Sequence, residues 1–422
     1  MAGWTGPARR ADEVRKRGRG ARRTPVDWAV RITAAVIMAV LGVMAVSGSM
    51  AAAVRGRDPA QAHRLAPGDG RFAALLASTL SNGQASTADR HRADELARTA
   101  LRQDPTTVQA ASALGINAQL RGDTPGARRL FAYAQRLSRR DLTAQLWAIE
   151  DAVGRSDILG ALRHYDIALR TSRSAPELLF PVLATAIEEA SVRDALIKTL
   201  AGKPGWGTAF AEYAAGSGPP HATAQLFSGL QRIGVSVPPY GQTAVVSRLL
   251  ATDDLKTAWS YYASLRKGAD RRFSRDPSFT AALELPTAFD WTPLSEGGVV
   301  TSLQRGDGNN GGTFQFSVPT SIGGGLLQQL QFLPPGTYRL EGRASDIEPA
   351  TDSLPYWQLN CSSGRELGRI EIRASNEGKS TFGGALQVPA DCPAQLLVLV
   401  ARPSDAVSGS AGQIDYVRLR PR

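Results

Sequence analysis

A run of 23 residues without a charged side chain, from Ile32 to Val54, is the feature that most limits how this chain folds. At about 1.5 Å of rise per residue, a helix of this length spans the roughly 30 Å hydrocarbon core of a bilayer. Trp28 stands just before the run, where interfacial aromatic residues are favoured. We therefore predict a transmembrane signal anchor over residues 28–54, in preference to a buried core helix. A cleaved signal peptide is the closest alternative, because the small residues of "SGSMAAAV" suit a signal peptidase.

The basic residues that precede this run set the predicted orientation. Residues 1–31 hold nine of the 49 Lys and Arg residues but only three of the 38 Asp and Glu residues. Because positive charge is retained in the cytoplasm, residues 1–27 are predicted to form a basic cytoplasmic tail. The body of the protein, after Val54, is then predicted to lie on the opposite side of the membrane. The rest of the chain has 40 basic and 35 acidic residues, which does not indicate nucleic acid as a partner.

After a predicted linker over residues 55–70, small apolar residues recur with a period of 34. Ala93, Ala127 and Ala161 occupy equivalent positions in successive predicted helices. Small residues at such positions let helices pack closely where they cross, while larger side chains fill the spaces between them. The residues predicted to make this packing are Ala93, Ala97, Ala100, Leu114, Gly115, Ala127, Phe131, Ala134, Ala161, Tyr165 and Ala168.

This pattern, over about residues 85–175, resembles the tetratricopeptide repeat. Ala111 and Ala118 stand where that repeat has Trp and Tyr, and Arg139 stands where it has Pro. The resemblance implies an α-solenoid, predicted over residues 71–285, whose concave groove binds a protein partner. A spacer that holds the C-terminal region away from the membrane is the alternative.

From residue 286 onward, the spacing changes to short alternating runs separated by Gly and Pro. Eight or nine such runs predict an antiparallel β-sandwich or jelly roll over residues 286–422. The chain is therefore predicted to be multidomain, with a transmembrane helix, an α-solenoid and a β-sandwich.

Four motifs in the predicted β region resemble galactose-binding-like β-sandwiches, which occur as carbohydrate-binding modules. The motifs are "FDW" (289–291), "LPPGTYRLEGRA" (333–344), "YWQLNC" (356–361) and "IDYVRL" (414–419). The combination of anchor, helical repeats and this sandwich also resembles membrane-anchored proteins of bacterial surface-polysaccharide systems. The resemblance implies that residues 286–422 bind a glycan.

No motif singles out a catalytic centre, a metal site or a cofactor. All four histidines precede residue 286, so the predicted sandwich cannot hold a His-based triad or a His-rich metal site. "GDGNNG" (306–311) leads into a predicted strand, and we interpret it as a hairpin loop in preference to a phosphate-binding turn or a calcium loop. "GKST" (378–381) lacks the first glycine of a Walker A loop.

Glycosidase chemistry needs a pair of carboxyl groups, and several pairs are available. Glu366 with Glu371, or Asp346 with Glu348, are examples, and the sequence marks neither as special. We therefore predict no catalytic residues, no metal and no cofactor.

Strand alternation provides the candidate glycan-binding residues. In "TYRLEGR" the polar residues at 339, 341 and 343 share one face, and in "GRIEIR" those at 369, 371 and 373 share one face. Charged and amide side chains of this kind hydrogen-bond sugar hydroxyls, although an ordinary solvated face has the same pattern. The candidates are Arg339, Glu341, Arg343, Arg369 and Glu371, together with Tyr356, Gln358 and Asn360.

The only two cysteines, Cys361 and Cys392, are predicted to form a disulfide. An exported chain meets an oxidising compartment, and neither cysteine belongs to a C-x-x-C motif. Two free buried thiols are the alternative. A buried disulfide turns Cys361 inward, and alternation then sends Leu359 and Trp357 inward with it. The residues between them, which include Gln358, are left facing outward.

These features predict a non-enzymatic scaffold or adaptor. Its helical repeats would bind a protein partner, and its sandwich would bind a polysaccharide. Residues 28–54 would hold it in a bacterial inner membrane, with the body of the protein in the periplasm, as the resemblance implies. Assembly or export of a surface polysaccharide is the predicted setting. The two alternatives are an envelope assembly factor whose sandwich binds only protein, and a glycan-modifying enzyme.

Overall fold

The computed structural model describes residues 25–282, 285–306, 311–347, 353–375, 378–404 and 409–422. The chain divides into two compact units, Met1–Asp151 and Ala152–Arg422. The described part of the first unit is helical, and the second unit contains helices followed by strands. The predicted order of helices and then strands is confirmed, whereas the predicted limits at residues 27, 54, 70 and 285 stay predictions. Most of the predicted basic tail, residues 1–24, lies outside the described residues.

The described residues contain fourteen helices. Their bounds are Pro25–Val54 (α1), Pro59–Leu65 (α2), Gly70–Leu80 (α3), Thr87–Gln103 (α4), Val108–Leu120 (α5), Thr124–Leu137 (α6), Leu142–Gly154 (α7), Ile158–Thr171 (α8), Ala175–Ala186 (α9), Ala190–Ala201 (α10), Gly207–Ser217 (α11), Pro220–Arg232 (α12), Pro239–Ala251 (α13) and Leu255–Leu265 (α14).

Helix α1 contains the predicted apolar run and is 30 residues long. Most of its large apolar side chains are exposed, which is unlike the amphipathic pattern of a surface helix in a soluble protein. Within the described ranges, it is the one helix that is long and apolar enough to cross a membrane. A membrane span and a signal sequence both fit this observation.

Helices α6 and α8 begin with the same cap, 34 residues apart. The Asp123 carboxylate accepts a hydrogen bond from the Gly126 N–H at 2.8 Å, and Asp157 accepts one from Gly160 at 2.8 Å. A Cβ atom at Gly126 would lie 2.0 Å from Asp123 Oδ2, and one at Gly160 would lie 2.1 Å from Asp157 Oδ2. A larger residue at either position would therefore displace the capping carboxylate. The eleven residues predicted to pack where helices cross are all buried.

Ten strands in the described residues form two antiparallel sheets. Their bounds are Thr292–Pro293 (β1), Val300–Gln304 (β2), Thr313–Val318 (β3), Gly324–Gln331 (β4), Gly336–Ser345 (β5), Tyr356–Cys361 (β6), Glu366–Glu371 (β7), Lys379–Val388 (β8), Gln395–Ala401 (β9) and Ser410–Pro421 (β10). The first sheet has the order β1-β4-β9-β6-β7, and the second has the order β2-β3-β10-β5-β8. The predicted hairpin loop connects β2 to β3, although residues 307–310 lie outside the described residues.

Apolar residues of both sheets form one core, and Trp357 of β6 lies inside it. Its ring centroid lies 5.7 Å from that of Trp291 and 6.5 Å from that of Phe382 on β8 in the second sheet. The predicted inward positions of Trp357 and Leu359 are confirmed, since 1% and 0% of their surface is exposed. The Cys361–Cys392 disulfide is also confirmed, with the two Cα atoms 5.6 Å apart.

Asp290, the central residue of "FDW", lies just before β1 and makes polar contacts with helix α14. The Tyr262 hydroxyl donates a hydrogen bond to the Asp290 carboxylate at 2.7 Å, and the Arg266 guanidinium lies 3.6 Å from it. The backbone N–H and the hydroxyl of Thr287 each donate to Asp290 at 2.9 Å. The helix before the sandwich and the segment that enters it are therefore joined by buried polar contacts.

Arg275 lies beside this contact and is buried beneath aromatic rings. Its guanidinium carbon lies 5.3 Å from the Trp259 ring centroid and 5.8 Å from the rings of Tyr262 and Phe289. The guanidinium donates to the carbonyl oxygens of Phe289 and Leu330. Burial lowers the pKa of Arg275 to about 10, so the group is charged at neutral pH.

Candidate functional site

A groove of about 960 Å³ lies where the edge strands of the two sheets meet. Strand β7 is the last strand of the first sheet, and β8 is the last strand of the second. We call this surface the β7–β8 groove. Its lining residues are Arg339, Glu341, Gly342, Arg343, Arg369, Ile370, Glu371, Arg373, Thr381, Phe382, Gly383, Gly384, Ala385 and Tyr416.

Five of the eight predicted glycan-binding residues line this groove. Arg339, Glu341 and Arg343 come from the outer face of β5, while Arg369 and Glu371 come from the outer face of β7. These two strands belong to different sheets, and the groove joins their faces because β8 lies next to β5 and against β7. The structure therefore brings together two polar faces that are separate in sequence.

Small residues on β8 give the groove its depth. The outward positions of β8 in the groove are Thr381, Gly383 and Ala385, and all three are exposed. Each lies directly opposite one long charged side chain of β5, in the pairs Arg343–Thr381, Glu341–Gly383 and Arg339–Ala385. Short side chains beside long ones leave a depression, with the β5 arginines along one side.

The two glutamates of the groove are held by arginines that do not line it. Arg420 donates to Glu341 Oε1 at 2.8 Å and to Oε2 at 3.2 Å. Arg402 donates to both carboxylate oxygens of Glu371, at 2.6 and 2.7 Å. These hydrogen bonds lower the pKa of Glu341 and the pKa of Glu371, so both carboxylates are ionised at neutral pH.

Arg343 and Arg373 have no carboxylate partner within the described residues. Both side chains are exposed. The Arg343 guanidinium carbon lies 5.8 Å from the centroid of the Tyr416 ring. The groove therefore carries two guanidinium groups whose hydrogen-bond donors face solvent.

The other three predicted residues, Tyr356, Gln358 and Asn360, do not line the groove. They alternate along β6 with the buried residues of the core. Guanidinium groups of Arg369 and Arg402 lie 4.4 and 4.5 Å from the Tyr356 ring centroid. The Tyr356 ring is therefore already engaged in two cation–π contacts.

The other two outward side chains on β6, Gln358 and Asn360, differ in their polar contacts. Gln358 donates a hydrogen bond to Glu366 at 2.7 Å. Asn360 Oδ1 is buried and has no hydrogen-bond partner in the described part of the chain. A role for these three residues in glycan binding stays a prediction.

Sequence reasoning missed the floor of the groove and the Tyr416 ring. Thr381, Gly383 and Ala385 alternate with less exposed residues in "TFGGALQV", and this run of small outward residues was the available signal. Tyr416 was visible within "IDYVRL", but only the strand order places it beside Arg343. No group of three or more His, Cys, Asp or Glu residues in the described ranges has the geometry of a metal site.

No protein-family model matches this sequence, and no curated protein matches it. Parts of the chain are similar to solved structures of carbohydrate-binding proteins. A xylan-binding CBM22 domain of Paenibacillus barcinonensis is 13% identical, covers 37% of this chain and 96% of its own, and has a TM-score of 0.25. A CBM6 module of the Cellvibrio mixtus lichenase 5A, in complex with cellotriose, is 13% identical, covers 32% of this chain and 98% of its own, and has a TM-score of 0.21.

An arabinose-bound α-L-arabinofuranosidase is also similar, with 18% identity and a TM-score of 0.27. The match covers 35% of this chain and 26% of the arabinofuranosidase, so this chain spans about a quarter of that enzyme.

Proposed function

We propose that this chain is a non-enzymatic, membrane-anchored scaffold that binds polysaccharide in the β7–β8 groove. Helix α1 anchors it in a bacterial inner membrane, with residues 1–27 in the cytoplasm and the body in the periplasm. Its helices form tetratricopeptide-like repeats that bind a protein partner. The proposed setting is assembly or export of a surface polysaccharide.

The observation that carries the proposal is the groove itself. Its volume of about 960 Å³ is at the upper end of the range for ligand sites, roughly 300–1,000 Å³. It combines guanidinium donors, the Tyr416 ring and a floor of small residues such as Gly383. Guanidinium groups hydrogen-bond sugar oxygens, and an aromatic ring packs against the apolar face of a sugar. An extended saccharide segment is the ligand that fits this combination.

The state of the two glutamates supports a binding role over hydrolysis. A glycosidase needs one carboxyl group with a raised pKa, which donates a proton to the leaving oxygen. Glu341 and Glu371 instead have lowered pKa values, because each accepts two hydrogen bonds from one arginine. Neither carboxyl group of the groove is suited to act as a general acid.

Two features of the helical part support the rest of the proposal. The length and apolar surface of α1 suit a membrane span. The shared caps of α6 and α8, with their 34-residue separation, agree with the period of the tetratricopeptide repeat.

Filling the groove with a bulky side chain tests the binding site. The full chain is placed in nanodiscs and applied to an array of neutral and acidic polysaccharides. Ala385 is exposed on the groove floor, so Ala385→Trp should lower binding to every retained polysaccharide by at least about tenfold.

Ser302→Trp is the matched control for this substitution. Ser302 is exposed on β2, at the opposite edge of the same sheet. Four strand spacings of about 4.8 Å separate the two edges, or roughly 19 Å. The control should bind like the parent chain. Equal binding by the two variants, or no binding by the parent chain, would contradict the proposal. Capture of a periplasmic protein by the groove, unaffected by added saccharide, would favour the protein-binding alternative.

A further inference from the structure

The charged side chains of the β7–β8 groove offer many hydrogen-bond donors and few free acceptors. Four arginines and two glutamates make up this charged lining: Arg339, Arg343, Arg369, Arg373, Glu341 and Glu371. Each glutamate is already neutralised by an additional arginine, either Arg420 or Arg402. The groove therefore carries an excess of positive charge and presents guanidinium groups to a ligand.

We propose that the ligand of this groove is an acidic polysaccharide, whose anionic groups are bound by Arg343 and Arg373. This inference rests on the proposed function and adds the chemical class of the glycan. A guanidinium group binds a carboxylate through two parallel hydrogen bonds, which gives both charge and geometric complementarity. Uronic acids supply such a carboxylate on the sugar ring, and sulfate or phosphate esters supply similar oxygen anions.

Arg343 is the arginine best placed to bind a charged sugar, because its guanidinium lies over an aromatic ring of the groove. The 5.8 Å separation between its guanidinium and the Tyr416 ring places a cationic donor next to an apolar surface. A sugar bound in the groove next to Tyr416 would bring a substituent of its ring within reach of Arg343. Arg373 follows β7 and lies across the groove from β5, so a second anionic group along the chain would meet it.

The surroundings of the groove favour a glycan over an anionic membrane surface. Proteins that bind the membrane interface insert exposed apolar side chains beside their basic residues. In the described part of residues 286–422, the exposed large apolar side chain is Val300. Val300 lies on β2, at the edge of the second sheet farthest from the groove. The groove therefore has cationic groups without an apolar rim.

Binding to matched pairs of polymers tests the inference. The full chain, in nanodiscs of uncharged lipid, is titrated with polygalacturonate, alginate, hyaluronate and xanthan, and with the carboxyl-reduced form of each. At least one acidic polymer should bind in 150 mM salt, and its carboxyl-reduced form should bind at least about tenfold more weakly.

A pair of double variants separates the groove from the general positive charge of the protein. Arg343→Gln with Arg373→Gln should weaken binding to the acidic polymer at least about tenfold. The control, Arg272→Gln with Arg365→Gln, removes the same charge from two exposed arginines that do not line the groove. This control should bind within about twofold of the parent chain. Thermal unfolding of each variant shows that the fold is retained.

Three results would overturn the inference. The first is equal binding by the two double variants, and the second is equal binding to a polymer and its carboxyl-reduced form. The third is binding to vesicles of anionic phospholipid with the same sensitivity to the Arg343 and Arg373 changes. A fourth outcome separates the inference from the proposed function. If the parent chain binds only neutral polymers, and Ala385→Trp abolishes that binding, the inference fails and the proposed function stands. If no polymer binds, both fail.

Discussion

Arg275 and Arg343 carry the same guanidinium group in two very different surroundings. Arg275 is buried between α14 and the first sheet, where rings and carbonyl oxygens occupy it. Arg343 lies on the outer face of β5, exposed, with no carboxylate partner among the described residues. The first is fully engaged within the protein. The second has one ring contact, with Tyr416, and its guanidinium has no carboxylate partner among the described residues, so it can bind a ligand anion.

The difference identifies which arginines stabilise the fold and which are available for a ligand. Burying a guanidinium costs several kcal/mol unless hydrogen bonds and nearby aromatic rings offset the lost hydration. The rings of Trp259, Tyr262 and Phe289 and the surrounding carbonyl oxygens supply that offset at Arg275. Arg343 is hydrated by solvent and needs no such partners, so a ligand anion can take the place of its water.

The largest effect is expected at the buried arginine. Arg275→Met should lower the free energy of unfolding by roughly 3–5 kcal/mol, because it leaves buried carbonyl oxygens without donors and removes a cation near Asp290. Chemical denaturation of the full chain, followed by tryptophan fluorescence, measures the change. A loss below about 1 kcal/mol would show that Arg275 does not hold α14 to the sheet.

The second prediction concerns the Cys361–Cys392 disulfide, another buried contact in the same unit. Replacing Cys361 and Cys392 with Ala should lower the free energy of unfolding by roughly 3–4 kcal/mol, because the bond closes a loop of 31 residues and restricts the unfolded chain. Denaturation of the oxidised parent chain and the double variant under the same conditions gives this difference. Equal midpoints would contradict the prediction.

The exposed arginine should show the opposite balance of effects. Arg343→Met makes the same chemical change as Arg275→Met, yet it should alter the free energy of unfolding by less than about 0.5 kcal/mol. The affinity of Arg343→Met for the acidic polymer should be at least about fivefold below that of the parent chain. Arg343→Lys should have an intermediate affinity, because lysine keeps the positive charge but lacks the planar pair of donors. A large decrease in the free energy of unfolding of Arg343→Met would contradict this prediction.

The smallest effect concerns the acid stability of the groove. The pKa of Glu341 is lower in the folded chain than in the unfolded chain, chiefly because Arg420 donates hydrogen bonds to it. Its contribution to stability is therefore present above its unfolded pKa, near 4.3, and is lost as pH falls through the lower folded value.

Glu341→Gln should remove this dependence without unfolding the sandwich. The variant should lose less stability than the parent chain between pH 5 and pH 3. Thermal midpoints measured across that range for both proteins test the prediction. Parallel curves would show that the Glu341–Arg420 pair does not contribute.

Patterns of local spacing were enough to predict much of the fold. Alternation in "YWQLNC" placed Trp357 and Leu359 inside the core, and the uncharged run from Ile32 predicted the helix α1. These features depend only on neighbouring residues and on the period of a strand or helix. The number of cysteines and the predicted export were sufficient for the disulfide.

Local spacing could not predict the groove, because the groove depends on the order of the strands in the two sheets. Alternation shows which face a residue occupies but not which strand lies beside it. The adjacency of β7 and β8 brings the Arg343 and Arg373 faces together, and the pairing of Glu341 with Arg420 joins residues 79 positions apart. Arg275 was missed because a charged residue in a polar stretch normally lies at the surface.

Arginine footprinting in the presence and absence of polysaccharide tests the central claim most directly. The full chain is treated with phenylglyoxal, and modified arginines are identified by mass spectrometry. Arg343 and Arg373 should react readily in the free protein and be protected by a saturating acidic polysaccharide, while Arg275 stays unreactive in both states. Unchanged reactivity of Arg343 and Arg373 in the bound protein would contradict the account.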